Sequence, residues 1–243
     1  MPNPTAAMLV IGDEILSGRT RDANSNHLAI ELTAAGIDLK EVRFVADDHA
    51  AIVAAVQALS KAYDTVFTSG GIGPTHDDIT ADAIADAFGA PIDVRDDARA
   101  ILQAHYDRNG TELNEARLRM ARIPDGAALI DNPVSAAPGF TLGNVHVMAG
   151  VPSIFNAMVE SVLPTLTGGA PVVSRTVRVD RPEGDVAADL GALAKAHPDL
   201  SLGSYPFTRD GKYGTNLVVR GQDPAVVDAV AEELVSRLDG VSV

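Results

Sequence analysis

Thr68-Ser69-Gly70-Gly71-Ile72-Gly73-Pro74-Thr75-His76-Asp77-Asp78-Ile79-Thr80 is the stretch that decides the fold. Just before it, Asp64-Thr65-Val66-Phe67-Thr68 has the short apolar pattern of a buried strand, and after it Ala81 to Phe88 reads as helix. The glycines therefore stand where a parallel strand hands over to a helix, the place where ligands bind in such sheets. Gly70, Gly71 and Gly73 let backbone N–H groups approach a ligand closely, and the helix start directs its unpaired N–H groups to the same spot. Phosphate suits that environment. Asp77 and Asp78 add carboxylates that would repel a bare phosphate unless a divalent cation lay between them. The same residue types also build turns and helix starts, so Thr75 or Asp77 as a plain helix cap is the competing reading.

Working outward, Ala6 to Ile11 is a continuous apolar run, the mark of a central parallel strand, and it ends at Gly12-Asp13-Glu14. Asp22-Ala23-Asn24-Ser25-Asn26 precedes a helix with Leu28, Leu32 and Ala35 on one face; Asn24 or Ser25 is either a site residue or its cap. Leu39 to Val45 is the next strand, followed by Asp47-Asp48 and a helix from Ala50 to Ala62. Downstream, the pattern predicts helices over Asp96 to Asn109 and Asn114 to Arg122. Arg117, Arg119 and Arg122 form the densest positive patch, either surface ion pairs or a rim that attracts a phosphorylated ligand. Asn132 to Phe140 reads as a stiff loop, Asn144 to Met148 as a strand, and Ala149-Gly150-Val151-Pro152-Ser153 as a third junction before a helix to Leu163.

Thr167-Gly168-Gly169-Ala170-Pro171 looks like a linker, which places one domain at 1–168 and a small α+β domain at 169–243. The second carries strand Val172 to Val179, helix Gly184 to Ala196, strands Leu200 to Pro206 and Gly214 to Gly221, and helix Pro224 to Leu238. The order invites comparison with an RNA-binding KH module, but the Gly-x-x-Gly loop of that module is missing.

The 243 residues carry a net charge of −14 and no cysteine. Disulfides and thiolate chemistry are excluded, and the reading is of a soluble cytoplasmic protein. An acidic surface disfavours nucleic acid and anionic membrane as partners, and no apolar run is long enough to span a bilayer.

Gly12-Asp13-Glu14, Asn24, Asp47-Asp48 and the long glycine-aspartate stretch together resemble the molybdopterin-binding, MoaB/Mog-like superfamily, most closely its CinA-type branch, from about Ala6 to about Leu166. The resemblance implies an α/β fold, a three-layer sandwich around a mostly parallel sheet, assembled into homo-dimers or trimers. It implies two chemistries: binding and adenylylation of molybdopterin, or metal-dependent cleavage of the pyrophosphate of ADP-ribose, with FAD hydrolysed by a related domain. CinA-type chains can carry a C-terminal amidohydrolase domain, which is not expected here because the chain ends at Val243.

By that resemblance Asp78 falls at the metal-binding or catalytic aspartate, and Asp47 or Asp48 near the second. The expected mechanism is a pyrophosphatase in which Asp78, Asp47, Asp48 and Asp13 are the candidate ligands of a divalent cation, magnesium, manganese or cobalt. Asp78, Asp48 and Glu14 are the catalytic candidates, with Glu14 or His76 to position water; capping is the competing role for Asp13 and Glu14. Gly12, Asn24, Ser69, Gly70, Gly71, Gly73, Pro74, Thr75, Thr80, Ser135, Pro138, Gly139 and Gly150 are the candidates for holding the nucleotide or pterin phosphate. Molybdopterin is the alternative ligand, and a non-catalytic oligomeric binding protein the second alternative. The sequence departs from the family pattern at Ser135 and Ala136 (glycine and threonine expected), Ala149 (proline), Ile154 (an acid) and Met120 (glutamine). These positions bear on ligand choice.

Overall fold

A computed structural model describes residues 2–209 and 211–243, which form two compact units, Met1–Gly169 and Ala170–Val243. The first unit opens with β1 (Thr5–Ile11), α1 (Asp13–Leu16), α2 (Asn24–Ala34), β2 (Asp38–Val45), α3 (His49–Ala62), β3 (Thr65–Ser69) and α4 (Thr80–Phe88). It continues with β4 (Ile92–Val94), α5 (Asp96–Arg108), α6 (Glu115–Leu118), β5 (Arg122–Pro124), β6 (Ala128–Ile130), β7 (Gly139–Leu142), β8 (Val145–Met148) and α7 (Pro152–Val162). Six strands make one sheet in the order β2-β1-β3-β8-β7-β6. The β2, β1, β3 and β8 strands run parallel, whereas β7 and β6 continue the sheet antiparallel.

Helices cover both faces, which is why β1 is apolar at every position from Ala6 on. Ala7, Leu9 and Ile11 face a core with Ile52, Val56 and Ile84, while Ala6, Met8 and Val10 face a second core with Leu28, Leu32 and Phe155. A strand buried on both sides loses the polar alternation of a half-exposed one. No helix among the described residues is long and apolar enough to cross a membrane.

The helix expected over Asn114 to Arg122 is corrected. Asn114 caps a single turn, Arg119–Ala121 tightens into a 3-10 turn, and Arg122–Pro124 pairs with β4 as a strand. Pro124 disfavours helical geometry at Ile123 before it and ends the helical run. Gly139 and Phe140 are likewise not loop but the start of β7. A side chain at Gly139 would strike the Val147 carbonyl oxygen, so its glycine serves close strand approach.

The second unit comprises β9 (Val173–Val179), α8 (Glu183–Ala196), β10 (Ser201–Arg209), β11 (Lys212–Gly221), α9 (Pro224–Leu238) and β12 (Val241–Ser242). Its antiparallel sheet, in the order β10-β11-β9-β12, packs Val177, Val179, Leu217 and Val219 against Val186 and Leu193 of α8 and Leu234 of α9. Asp223 caps α9 by accepting from Ala225 N at 2.9 Å. Only β12, two residues long, was without a sequence signal.

His146 on β8 is 6% exposed, between the hydroxyls of Thr141 (2.9 Å) and Thr65 (3.0 Å). Burial pushes its pKa down to about 4. The unfolded chain takes up a proton near pH ~6.5 that the native state refuses, so stability is full above that value and falls as the pH drops toward ~4. The loss should reach about 3 kcal/mol. Denaturant midpoints of wild type and His146→Gln across this range check it: the variant should show the shallower slope, and parallel slopes would contradict the assignment.

Candidate functional site

The chain leaves β1 for β2 on one side and returns to β3 on the other, so the strand order reverses between β1 and β3. At such a switch point the loops part and leave a crevice outside the carboxyl ends of the strands. Gly12 and Gly70 are the residues that follow those two strands. Gly12 N donates to Val45 O (3.1 Å) and Gly70 N to Met148 O (3.1 Å), which ties the ends of β1, β2, β3 and β8 together. A Cβ on Gly70, where φ is +110°, would strike the Ile11 carbonyl oxygen, and one on Gly150 would press on Gly70 Cα.

Thr80, fully buried, holds the glycine loop from below. Its N donates to Gly71 O and its Oγ1 to Gly70 O, both at 3.0 Å. Thr80 is therefore a clamp on the loop, whereas the sequence reading placed it among the phosphate ligands. With these carbonyls turned to α4, no hydrogen bond among the described residues takes up the N–H groups of Gly71, Ile72 or Gly73. Gly70, whose N–H is spent on Met148, and Thr75, whose N and Oγ1 donate to Asp78 Oδ2 at 2.8 and 2.6 Å, are corrected as donors to phosphate. Pro74 stands exposed at the tip.

Asn24 is not the cap of α2. Asp22 accepts from the N–H groups of Asn24 and Ser25, and Asn24 turns inward, its Nδ2 donating to Ser69 Oγ (2.7 Å) and Gly150 O (2.8 Å). The Gly150 carbonyl fixes the amide's orientation and leaves Oδ1 buried without a partner among the described residues. Asn24 thus braces the ends of β3 and β8 beneath the crevice.

The acids separate into different roles. Asp48 accepts from Ala51 N at 2.8 Å as the N-cap of α3, so its carboxylate is occupied by helix capping. Asp47 turns toward the loop after β1 and accepts from Asp13 N at 3.0 Å. Burial, and then the charges of Asp13, Glu14 and Asp77, push its carboxyl above the ordinary value against the pull of that bond. Asp13 and Glu14 lie in the single turn of α1, and the Glu14 carboxylate folds over Gly12, where a side chain would collide with it. Asp77 is the member of the Asp77-Asp78 pair whose charge reaches Asp47. His76 is fully exposed beside Asp77.

Among the described residues no three His, Asp or Glu side chains converge tightly enough to enclose an ion. A magnesium-type cation typically takes one or two carboxylates and completes its shell with phosphate oxygens and water, so Asp47 and Asp77, whose charges interact, are the residues that could hold one.

Behind Gly71 and Gly73 a small cavity is lined by Asp78, Arg119, Met120, Arg122 and Pro138. Arg117 lies over the Tyr106 ring at 4.8 Å and bonds the Glu112 carbonyl, and Arg122 pairs with Asp82, so these two are structural. Neither Asp77 nor Arg119 stood out in the sequence from its neighbours.

Ser135 is held by Asn132, whose Nδ2 donates to Ser135 Oγ (2.7 Å) and Ala137 O (2.8 Å). Ala149 and Ile154 pack against the second core. Ala136 adopts φ +64°, the left-handed region. The strain there costs an alanine ~1–2 kcal/mol. Ala136→Gly should relieve it and, after the larger unfolded-state entropy of glycine, add about 0.5–1 kcal/mol of stability. A denaturant midpoint at or below wild type would contradict this.

Residues 7–168 match the family model "Probable molybdopterin binding domain", and residues 171–243 match "FAD synthase, middle domain". A "Probable FAD synthase" of Caenorhabditis elegans is 32% identical over 97% of this chain and 50% of its own length, so the chain spans about half of that relative. A protein of Aeropyrum pernix is 34% identical over 96% of this chain and 90% of its own length. Among solved structures, "CinA with unknown function" from Thermoplasma acidophilum is 32% identical with a TM-score of 0.61, covering 67% of this chain and 97% of that one.

Proposed function

The chain belongs to the "Probable molybdopterin binding domain" family, and from that membership we propose a divalent-metal-dependent pyrophosphatase acting on a nucleotide diphosphate compound, ADP-ribose or FAD. One observation carries the reading: three backbone N–H groups without partners among the described residues, at Gly71 to Gly73, share a loop with Asp77, whose charge reaches Asp47. Donors of that kind receive phosphoryl oxygens, and acids beside them call for a cation. The printed names of the FAD synthase relatives draw the substrate toward FAD, and the CinA-type resemblance draws it toward ADP-ribose.

Water attacks one phosphorus, the bond from that phosphorus to the bridging oxygen breaks, and AMP leaves with ribose 5-phosphate or FMN. The N–H groups of Gly71 to Gly73 hold phosphoryl oxygens and stabilise the charge that grows on them. Asp47, Asp77 and Asp78 supply the protein oxygens for the cation, and Asp78 also keeps the loop in shape through Thr75 while facing the cavity. Glu14, folded over Gly12, accepts the proton of the attacking water. A divalent cation, when bound, screens the pyrophosphate and makes water a better nucleophile near neutral pH.

Molybdopterin binding or adenylylation is the second reading, favoured by the family's printed description, and a non-catalytic binding protein the third, kept by the departures from the family pattern at Ser135, Ala136, Ala149 and Ile154. Assembly into a dimer or trimer belongs to the proposal, since Leu16, Ile30 and Val151 are each more than half exposed. Incubation with ADP-ribose, FAD and other dinucleotides, with magnesium, manganese or cobalt, tests the function through AMP release. AMP from ADP-ribose or FAD supports it; no AMP from any of them, together with calorimetric binding of molybdopterin, overturns it.

A further inference from the structure

We infer that Arg119 is the specificity residue of the glycine-loop site, a guanidinium held ready for the second phosphoryl group of a diphosphate. The inference rests on the pyrophosphatase reading and deepens it. Three arginines lie close in sequence, and the structure distinguishes them. Arg117 is engaged by Tyr106 and the Glu112 carbonyl, and Arg122 by Asp82. Arg119 makes only a long contact, Nη2 to Asp78 O at 3.4 Å, and its Nε is buried with no hydrogen-bond partner among the described residues.

A guanidinium nitrogen withdrawn from water without an acceptor is costly, and an anion removes that cost. The acceptor has a place to sit, because Arg119 lines the same cavity as Gly71 and Gly73, whose N–H groups are also unspent. Arg122, Asp82 and Asp78 line this space too, but Arg122 and Asp82 pair with each other and Asp78 with Thr75, which leaves Arg119 and the loop N–H groups as its unspent donors. Asp77 in the same loop and Asp47 after the end of β2 form the cation side, so a ligand meets two chemically different neighbours. A monophosphate needs only one of them. A diphosphate uses both, with one phosphoryl group against Arg119 and the N–H groups and the other beside the cation. The planar fork of arginine matches two phosphoryl oxygens, a fit that lysine reproduces only in charge.

The test is calorimetric titration of wild type, Arg119→Gln, Arg119→Lys and Arg117→Gln with inorganic pyrophosphate and orthophosphate, each with and without magnesium. Wild type should bind pyrophosphate with magnesium at least tenfold more tightly than orthophosphate. Arg119→Gln should lose at least tenfold in pyrophosphate affinity and most of the preference, Arg119→Lys should fall between, and Arg117→Gln should match wild type. Equal affinity of wild type and Arg119→Gln, or no pyrophosphate binding by wild type, overturns the inference. If Arg119→Gln does not melt cooperatively, Arg119→Lys decides, and wild-type affinity and preference in that variant overturn it. Binding is read apart from turnover: a protein that binds pyrophosphate through Arg119 but cleaves neither ADP-ribose nor FAD refutes the hydrolase and leaves Arg119 standing.

Discussion

Asp78→Asn should lower AMP release from ADP-ribose or FAD by about a hundredfold or more, a loss of ~2.7 kcal/mol of transition-state stabilisation. Its melting temperature should stay within a few degrees of wild type. The substitution keeps the side chain's shape and an oxygen that can still accept from Thr75 N, so the loop conformation survives. What it removes is a negative charge between the glycine loop and the cavity, next to Asp77. If Asp78 only steadied the turn, the change would cost at most ~1 kcal/mol in stability and leave turnover intact. Kinetics therefore separate the two roles better than melting does. Rates across a magnesium titration, with thermal melts of both proteins, make the comparison; a wild-type rate with unchanged metal dependence would remove Asp78 from the site.

Gly70→Ala should destabilise the protein by about 3 kcal/mol or more, enough to lower Tm by roughly 6–12 °C in a chain of this size. At φ +110° an alanine is strained before any contact is considered, and its methyl would meet the Ile11 carbonyl at the end of the central strand. Neither side can yield, because Ile11 lies in β1 between its two partner strands and Gly70 N is bonded to Met148 O. Gly18→Ala is the control: its φ is +72°, but nothing lies within 4 Å of the added methyl. That variant should lose only the backbone strain, ~1–2 kcal/mol. Equal losses in the two variants would mean that close packing at the strand ends does not hold the crevice.

The parallel core was legible because β1, buried on both faces, is an unbroken apolar run, and β3 sends the adjacent Val66 and Phe67 to opposite cores. The short antiparallel pieces were not. Three residues, as in β4, β5 and β6, are too few to show a period, and β5 was hidden behind an arginine-rich stretch that scans as helix. Glycines and acids marked the site's location for a physical reason, since few other residue types permit such close backbone approach. Their division of labour depends on geometry that spacing does not carry. Asp47 and Asp48 differ by one position, and the extended backbone of Asp48, φ −115° and ψ 122°, is what makes it the cap of α3 and leaves Asp47 to the crevice. Asp77 and Asp78, and Arg119 between Arg117 and Arg122, part in the same way, through contacts made by distant segments. The domain boundary drawn at Gly168 awaits a truncated chain.

The most direct test of the central claim is cleavage of ADP-ribose and FAD in ¹⁸O-labelled water with magnesium or manganese, followed by mass spectrometry of the products. Hydrolysis predicts AMP with ribose 5-phosphate or FMN, one ¹⁸O atom in one of the two monophosphates, and no products when the cation is chelated. No AMP from either compound, or cleavage that leaves both monophosphates without label, would contradict the account.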